Sequence, residues 1–289
     1  MCGIFAIVND QTNQAAQTTL EGLKRLEYRG YDSWGVAVVS GKSPKVYVEK
    51  HIGKIGQATT SLPSGSIAIG HTRWATHGGV TQVNAHPHLD CQNRFVVIHN
   101  GIVENYQELR EKLKKKKHQF KSETDTEIIA HLLEEKSEKE TTQKAVFGVF
   151  KMLVGSNAIV VLDSMNQTIV ACRNGSPLAA GSGKGQYFLA SDVTAFLKFT
   201  KDVRFLDDGA AIVMKKTGLT LYDLKTEKIK TITFQHLDWE SEDAEKGGYP
   251  HFLLKEIMEQ KVTIPKTALI NQKEMEKISQ KIKKEKSKI

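Results

Sequence analysis

Residues 158–172 read AIVVLDSMNQTIVAC. Two apolar, β-branched runs, 158–162 and 168–172, are joined by a polar link too short for a helical crossover, so they pair as an antiparallel hairpin. The same pattern continues downstream, where strands are expected at 187–190, 210–214, 219–223 and 228–233. Upstream, strand runs at 4–8, 34–39, 45–49, 67–71 and 95–99 are set off by Gly, Pro, Asn and Ser clusters. Helical spacing occupies 15–27, where Leu20, Leu23 and Leu26 share a face ahead of a stop at Gly30. It returns at 104–117, 124–135 and 142–153, the second of these carrying Ile128, Ile129, Leu132 and Leu133 as its apolar stripe. Strands, then helices, then strands, with mostly hairpin-length links, predict an α+β fold: antiparallel sheets stacked face to face and flanked by helices, not a doubly wound parallel sheet.

The 289 residues are long enough for a sizeable core, and 39% hydrophobic, 26% charged and six prolines exclude wholesale disorder and collagen-like repeats. No run approaches the ~18 apolar residues of a membrane span. No basic segment precedes the short apolar stretch at the N-terminus, so a cytoplasmic chain is expected. Cys2, Cys91 and Cys172 lie far apart without a CxxC pair and are expected as reduced thiols. The net charge of +8 suggests a polyanion partner until it is located: residues 261–289 hold nine Lys and three Glu, which leaves only +2 for everything before them. That tail reads as a solvated helical or disordered end, and nucleic-acid binding is not expected. Past about 235 a polar connector (238–246) and a helical pattern (251–260) lead into it, so the division falls into a domain over 2–235 and a linker-like helix with a Lys-rich tail over 236–289.

Removal of Met1 would leave Cys2 as the first residue, with a nucleophilic thiol and a base, its α-amine of pKa ~7.7–8.0, on one residue. The alternative is a small residue near a strand start. The run His71-Thr72-Arg73-Trp74-Ala75-Thr76-His77-Gly78-Gly79 places a planar cation, aromatic rings and two glycines after a strand, which suits a loop that grips a carboxylate; otherwise it is a twisted turn. His99-Asn100-Gly101 ends another strand and offers an amide and a backbone N–H to a developing oxyanion, although Asn-Gly is also a common turn. Ser122-Glu123-Thr124-Asp125-Thr126-Glu127 either caps a helix or aims Asp125 at an ammonium group, and with Arg73 it would recognise an α-amino acid. His71, His77, His86, His88 and His99, with Asp90 nearby, match no common ligand spacing, and no metal site and no cofactor are expected. Residues 181–185, GSGKG, lack the spacing of a phosphate loop and read as a hairpin turn.

Cys2-Gly3-Ile4, the stretch at 23–33 with Leu26-Glu27-Tyr28-Arg29-Gly30-Tyr31-Asp32, the Arg73 loop, Asn84-Ala85-His86-Pro87-His88, and the His99 and Ser122 clusters occur in one order. With Tyr249-Pro250-His251-Phe252-Leu253-Leu254-Lys255-Glu256-Ile257 they resemble, over roughly residues 2–260, the glutaminase domain of the glutamine–fructose-6-phosphate aminotransferase family. The resemblance implies a class II, N-terminal-nucleophile amidotransferase with a four-layer αββα sandwich. It implies Cys2 as nucleophile with its amine as base, Asn100 and Gly101 as the oxyanion hole, Arg73 on the glutamine carboxylate and Asp125 on its amino group. Trp74, Thr76 and His77 would close over glutamine, with His86 also at the substrate and Arg29 in support.

The implied reaction is thiolate attack on the side-chain amide, release of ammonia and hydrolysis of a γ-glutamyl thioester. In the family the ammonia serves glucosamine 6-phosphate synthesis. From Lys261 onward nothing resembles the family's sugar-phosphate isomerase half, so a separate isomerase or synthase subunit is an expected partner, and the transferase step is left open. Trp34 and Lys261 stand where a small residue and a proline are expected. The competing readings are a catalytically silent glutamine-binding regulatory subunit and the glutaminase of another class II amidotransferase.

Overall fold

A computed structural model describes residues 2–9, 11–41, 45–238, 248–249 and 252–286. Met1 and most of the expected 238–246 connector lie outside these residues. Strand β1 (Gly3–Asn9) is buried at every position, so both of its faces must be covered, and the rest of the domain follows from what covers them.

In chain order β1 is followed by α1 (Ala15–Arg25), β2 (Ser33–Ser40), β3 (Lys45–Ile52), β4 (Ile67–Arg73), β5 (His88–Leu89) and β6 (Phe95–Gly101). Three helices come next: α2 (Tyr106–Lys115), α3 (Glu127–Ser137) and α4 (Thr142–Phe150). The strands then resume as β7 (Asn157–Asp163), β8 (Thr168–Asn174), β9 (Ala179–Gly183), β10 (Gln186–Ala190), β11 (Asp202–Phe205), β12 (Ala210–Lys215), β13 (Gly218–Asp223), β14 (Ile229–Lys230) and β15 (Gln235–His236). They form an eight-stranded sheet in the order β15-β11-β9-β10-β1-β4-β2-β3 and a seven-stranded sheet in the order β14-β13-β12-β8-β7-β6-β5. Neighbouring strands pair antiparallel throughout both sheets.

Alternate residues of β1 separate two cores. Ile4, Ala6 and Val8 pack with Ile98, Val160 and Ile212 between the sheets, while Phe5 and Ile7 pack with Leu20, Leu23 and Leu26 on the outer side. The outer side of the second sheet carries Val97, Ile159 and Val161 against Ile128, Ile129, Leu133, Val146 and Phe147. Helix, sheet, sheet, helix is the four-layer arrangement expected. The opening hairpin has the predicted pairing, Leu162 with Ile169 and Asp163 with Thr168, and GSGKG turns the β9–β10 hairpin, where Gln186 pairs with Gly183.

Boundaries differ where side chains pull on the backbone. Helix α1 ends at Arg25 and a short 3₁₀ turn covers Glu27–Arg29. Gly30 is no left-handed stop: its backbone is extended, and a Cβ there would sit 2.9 Å from the Thr72 carbonyl oxygen, so glycine lets this segment lie against β4. Helix α3 starts at Glu127, not Thr124, because the residues before it are bonded outward. The expected 228–233 strand is reduced to Ile229–Lys230.

The chain divides into the units Met1–Asp238 and Trp239–Ile289. In the second, the described residues form α5 (Phe252–Ile270) and α6 (Gln272–Lys286), so most of the lysine-rich end is helical. Among the described residues no helix is long and apolar enough to cross a membrane.

Candidate active site

The pairing of β1 with β4 sets Gly3 opposite Thr72 and so brings Cys2 to the Arg73 loop. The Trp74 backbone N–H donates to the Cys2 Sγ at 3.2 Å. Burial pushes the Cys2 thiol above its ordinary pKa, opposed by that N–H and by the Arg73 and Arg29 charges. Burial thus favours the protonated sulfur over the thiolate.

Across the sandwich, Asn100 Nδ2 donates to the Cys2 carbonyl oxygen at 3.0 Å. Arg29 Nε donates to the same oxygen at 3.2 Å, and Arg29 pairs with Asp192 at 3.5 Å. An amide NH₂ carries two hydrogens, so Asn100 retains a second donor beside Cys2. Gly101 follows with φ 137°, and a Cβ there would lie 2.2 Å from the Ser156 carbonyl oxygen, so only glycine holds this end of β6 in place.

A cavity of about 470 Å³ opens over Cys2, and Arg29, Trp74, Thr76, Asn100 and Gly101 of the expected set line it. Ile102, Glu104, Ser156, Ser176 and Pro177 also line it and were not anticipated. The two serines sit in the turns at Gly155-Ser156 and Gly175-Ser176; the β7–β8 register, which pairs Asn157 with Asn174, puts both turns at one sheet end. Turn residues were legible in the sequence, but their convergence depends on that register.

Other expected residues lie beside the cavity. Arg73 is buried, and its guanidinium donates to its own loop: to the His77 carbonyl, to Gly78 O at 3.2 Å and to Gly79 O at 3.1 Å. Asn84 Nδ2 also donates to Gly79 O, at 3.0 Å, and Gly79 N–H donates to Glu123 Oε2 at 3.3 Å. The loop is thus drawn down by three side chains. Asp125 is buried and accepts the Val103 N–H at 2.7 Å, and its charge, like that of Asp32, favours the Arg73 cation. It does not cap α3; the Ser122 hydroxyl and N–H both donate to Glu127 at 2.7 Å, and Thr126 Oγ1 lies 3.0 Å from His99 Nδ1.

His86 is not among the residues that line the cavity over Cys2. It is buried, stacked on His71 with ring centroids 4.1 Å apart, and its Nδ1 accepts the His99 N–H at 3.4 Å. His77 packs its ring edge-on against Tyr106. His71 reaches the site through Asn100: its Nε2 lies 3.0 Å from both Asn100 Oδ1 and His99 O, two acceptors that require the N–H on Nε2. Burial lowers the His71 pKa to about 3 and pushes His86, His88 and His99 below the usual histidine value. Four of the five histidines whose spacing suggested no metal form a neutral scaffold behind Asn100.

A family model described as a glutamine amidotransferase domain matches residues 71–198. The sequence is 45% identical over 287 residues to glutamine–fructose-6-phosphate aminotransferase (isomerizing) of Pyrococcus horikoshii, covering 97% of this chain and 47% of that protein. It is 47% identical over 265 residues to the same-named protein of Thermotoga maritima, covering 90% and 43%. The 97% coverage carries the likeness past residue 260 into the lysine-rich tail, beyond the span marked by the motifs. Among solved structures, the glutamine phosphoribosylpyrophosphate amidotransferase of B. subtilis complexed with ADP and GMP is similar with TM-score 0.67 and 26% identity, over 77% of this chain and 49% of that one. A structure described as the allosteric regulatory enzyme of purine biosynthesis gives 0.68 and 28%, over the same shares. The chain spans about half the length of the curated relatives it matches.

Proposed function

We propose that the chain carries a glutamine amidotransferase domain of the N-terminal-nucleophile type, hydrolyses the side-chain amide of glutamine through Cys2 and yields ammonia for amino-sugar synthesis, a reading supported by the family match and the similar solved structures. The observation that carries the proposal is the placement of the Cys2 thiol in a cavity beside the Asn100 amide and the Gly101 backbone. Once Met1 is removed, the α-amine takes the thiol proton and returns it to the departing ammonia. Asn100 Nδ2–H and Gly101 N–H stabilise the oxyanion, first of the tetrahedral adduct and then during water attack on the thioester. His71 positions the Asn100 amide by holding its oxygen.

Glutamine recognition calls for a carboxylate partner and an ammonium partner. Arg73, whose charge reaches Cys2, and Asp125, whose charge reaches Arg73, supply opposite charges, and binding of a carboxylate by Arg73 exchanges loop carbonyls for a charged acceptor, a stronger hydrogen-bond partner. Opening and re-closure of the 74–79 loop would accompany that exchange. The acceptor of the ammonia is a sugar phosphate, by the names of the relatives, whose remaining half or a separate isomerase subunit would supply its site.

The test is glutamate release from glutamine by the Met1-free chain, with N-terminal processing checked by intact mass. Wild type is expected to turn over and Cys2→Ala to fall to background; equal rates in the two would overturn the proposal.

A further inference from the structure

We propose that Cys91, His118, His131 and Glu134 form a four-ligand structural zinc site, remote in kind from the Cys2 chemistry. Cys91 lies in the turn between β5 and β6, His118 in the link between α2 and α3, and His131 and Glu134 one turn apart on α3. Their donor atoms converge: Cys91 Sγ lies 3.5 Å from His131 Nδ1 and 3.8 Å from His118 Nδ1, and Glu134 Oε2 lies 3.2 Å from His118 Nδ1 and 3.5 Å from His131 Nδ1. All four atoms fall within 4.8 Å of one another. Zn–S bonds of ~2.3 Å and Zn–N or Zn–O bonds of ~2.0–2.2 Å at tetrahedral angles require edges of roughly 3.3–3.6 Å, and the four donor pairs at 3.2, 3.5, 3.5 and 3.8 Å come close to those edges before any ion is bound.

The surroundings prepare the ligands. His118 Nε2 lies 3.3 Å from Glu135 Oε1, and His131 Nε2 lies 3.8 Å from Glu127 Oε1, so each imidazole turns its second nitrogen toward a carboxylate. A proton held there leaves Nδ1 with its lone pair in the cluster, the carboxylate–histidine–metal arrangement. His131 Nε2 is buried without a hydrogen-bond partner, which an apo ring gains nothing by but a ligated, more acidic N–H would repair by closing on Glu127. A thiolate and a carboxylate cancel the charge of a dication, and sulfur with two imidazoles favours zinc over magnesium or calcium. Cys91 is exposed while His131 is buried, giving the ion a way in and a firm seat.

The spacing hides this site. The ligands come from separate segments, and the histidines whose spacing drew attention belong to the scaffold behind Asn100. A metal here would pin the β5–β6 turn and the α2–α3 link to α3, just after the residues through which Asp125 reaches Val103 and Thr126 reaches His99. Its role is structural, because all four positions are filled by protein.

The full chain, stripped with EDTA, is titrated with Co²⁺ and separately with Zn²⁺. Wild type is expected to bind about one ion per chain, to show the thiolate-to-cobalt charge-transfer band with intense tetrahedral d–d bands, and to unfold at higher temperature with zinc. Cys91→Ser should abolish the charge-transfer band, Glu135→Gln should weaken zinc binding by about 10-fold, and Cys2→Ala should retain the wild-type spectrum. Octahedral, weak cobalt bands in the wild type, or a charge-transfer band that persists in Cys91→Ser, would overturn the proposal. The wild-type spectrum decides even if a variant fails to fold, and neither readout depends on glutamine turnover.

Discussion

His71 Nε2 lies 3.0 Å from Asn100 Oδ1, and the opposite end of that amide donates to the Cys2 carbonyl at 3.0 Å. A buried histidine whose pKa is pushed down thus faces the oxygen end of Asn100 and leaves its NH₂ toward Cys2. Asn100 extends from β6 and Cys2 precedes β1, so this contact is where the two sheets meet chemically.

Asn100→Ala removes the amide donor while leaving the thiol in place. Loss of one oxyanion donor costs about 10²–10³-fold in kcat, and glutamine KM should change little because such a donor acts on charge that develops only in the transition state. Steady-state glutamate release checks this; a change confined to KM would place Asn100 in binding alone.

His71→Phe keeps a ring against His86 but removes the N–H that fixes Asn100. A hydrogen bond of about 1 kcal/mol corresponds to roughly 5-fold in kcat, with KM again nearly unchanged. The same fall in Asn100→Ala and in the double variant would show that His71 acts through Asn100.

The histidine scaffold also sets an acid limit on stability. His71 is held at about 3 in the fold, below its ordinary 6.5. Between those values the unfolded chain binds the extra proton, so stability rises with pH across the window, is complete above about 6.5 and is lost as pH falls toward 3. At pH 5 the His71 contribution alone is about 2 kcal/mol below its value at pH 7. Urea midpoints at the two pH values should draw closer in His71→Phe than in wild type.

Gly101→Ala forces a side chain onto the Ser156 carbonyl at a φ of 137°. Strain of this kind costs about 1–3 kcal/mol, and the displaced backbone N–H should also lower kcat. Chemical denaturation together with glutamate release measures both; an unchanged variant would contradict the requirement for glycine at this position.

Most strands, the helices and the layers were legible because they rest on local patterns: short continuous apolar runs in β1 and β6, the Leu20-Leu23-Leu26 face, and a link too short to cross over. That Cys2 lies together with Asn100 and Gly101 was expected for a different reason, since ordered motifs carried a resemblance. What stayed hidden depends on register between distant strands. His86 looked like a substrate residue but packs behind His71, and Arg73 spends its donors on its own loop. The Ser122 run left a helix cap and an ammonium partner both open; Asp125 and Thr126 bond outward, and α3 starts only after them. The Cys91 cluster had no compact spacing to reveal it.

The most direct test of the account is to quench the Met1-free chain during turnover and locate the acyl group by mass spectrometry. A γ-glutamyl thioester on the N-terminal Cys2 peptide, absent from Cys2→Ala and accumulating when water attack is slowed at low temperature, is the predicted result. Turnover with no adduct on Cys2, at a rate that survives Cys2→Ala, would contradict it.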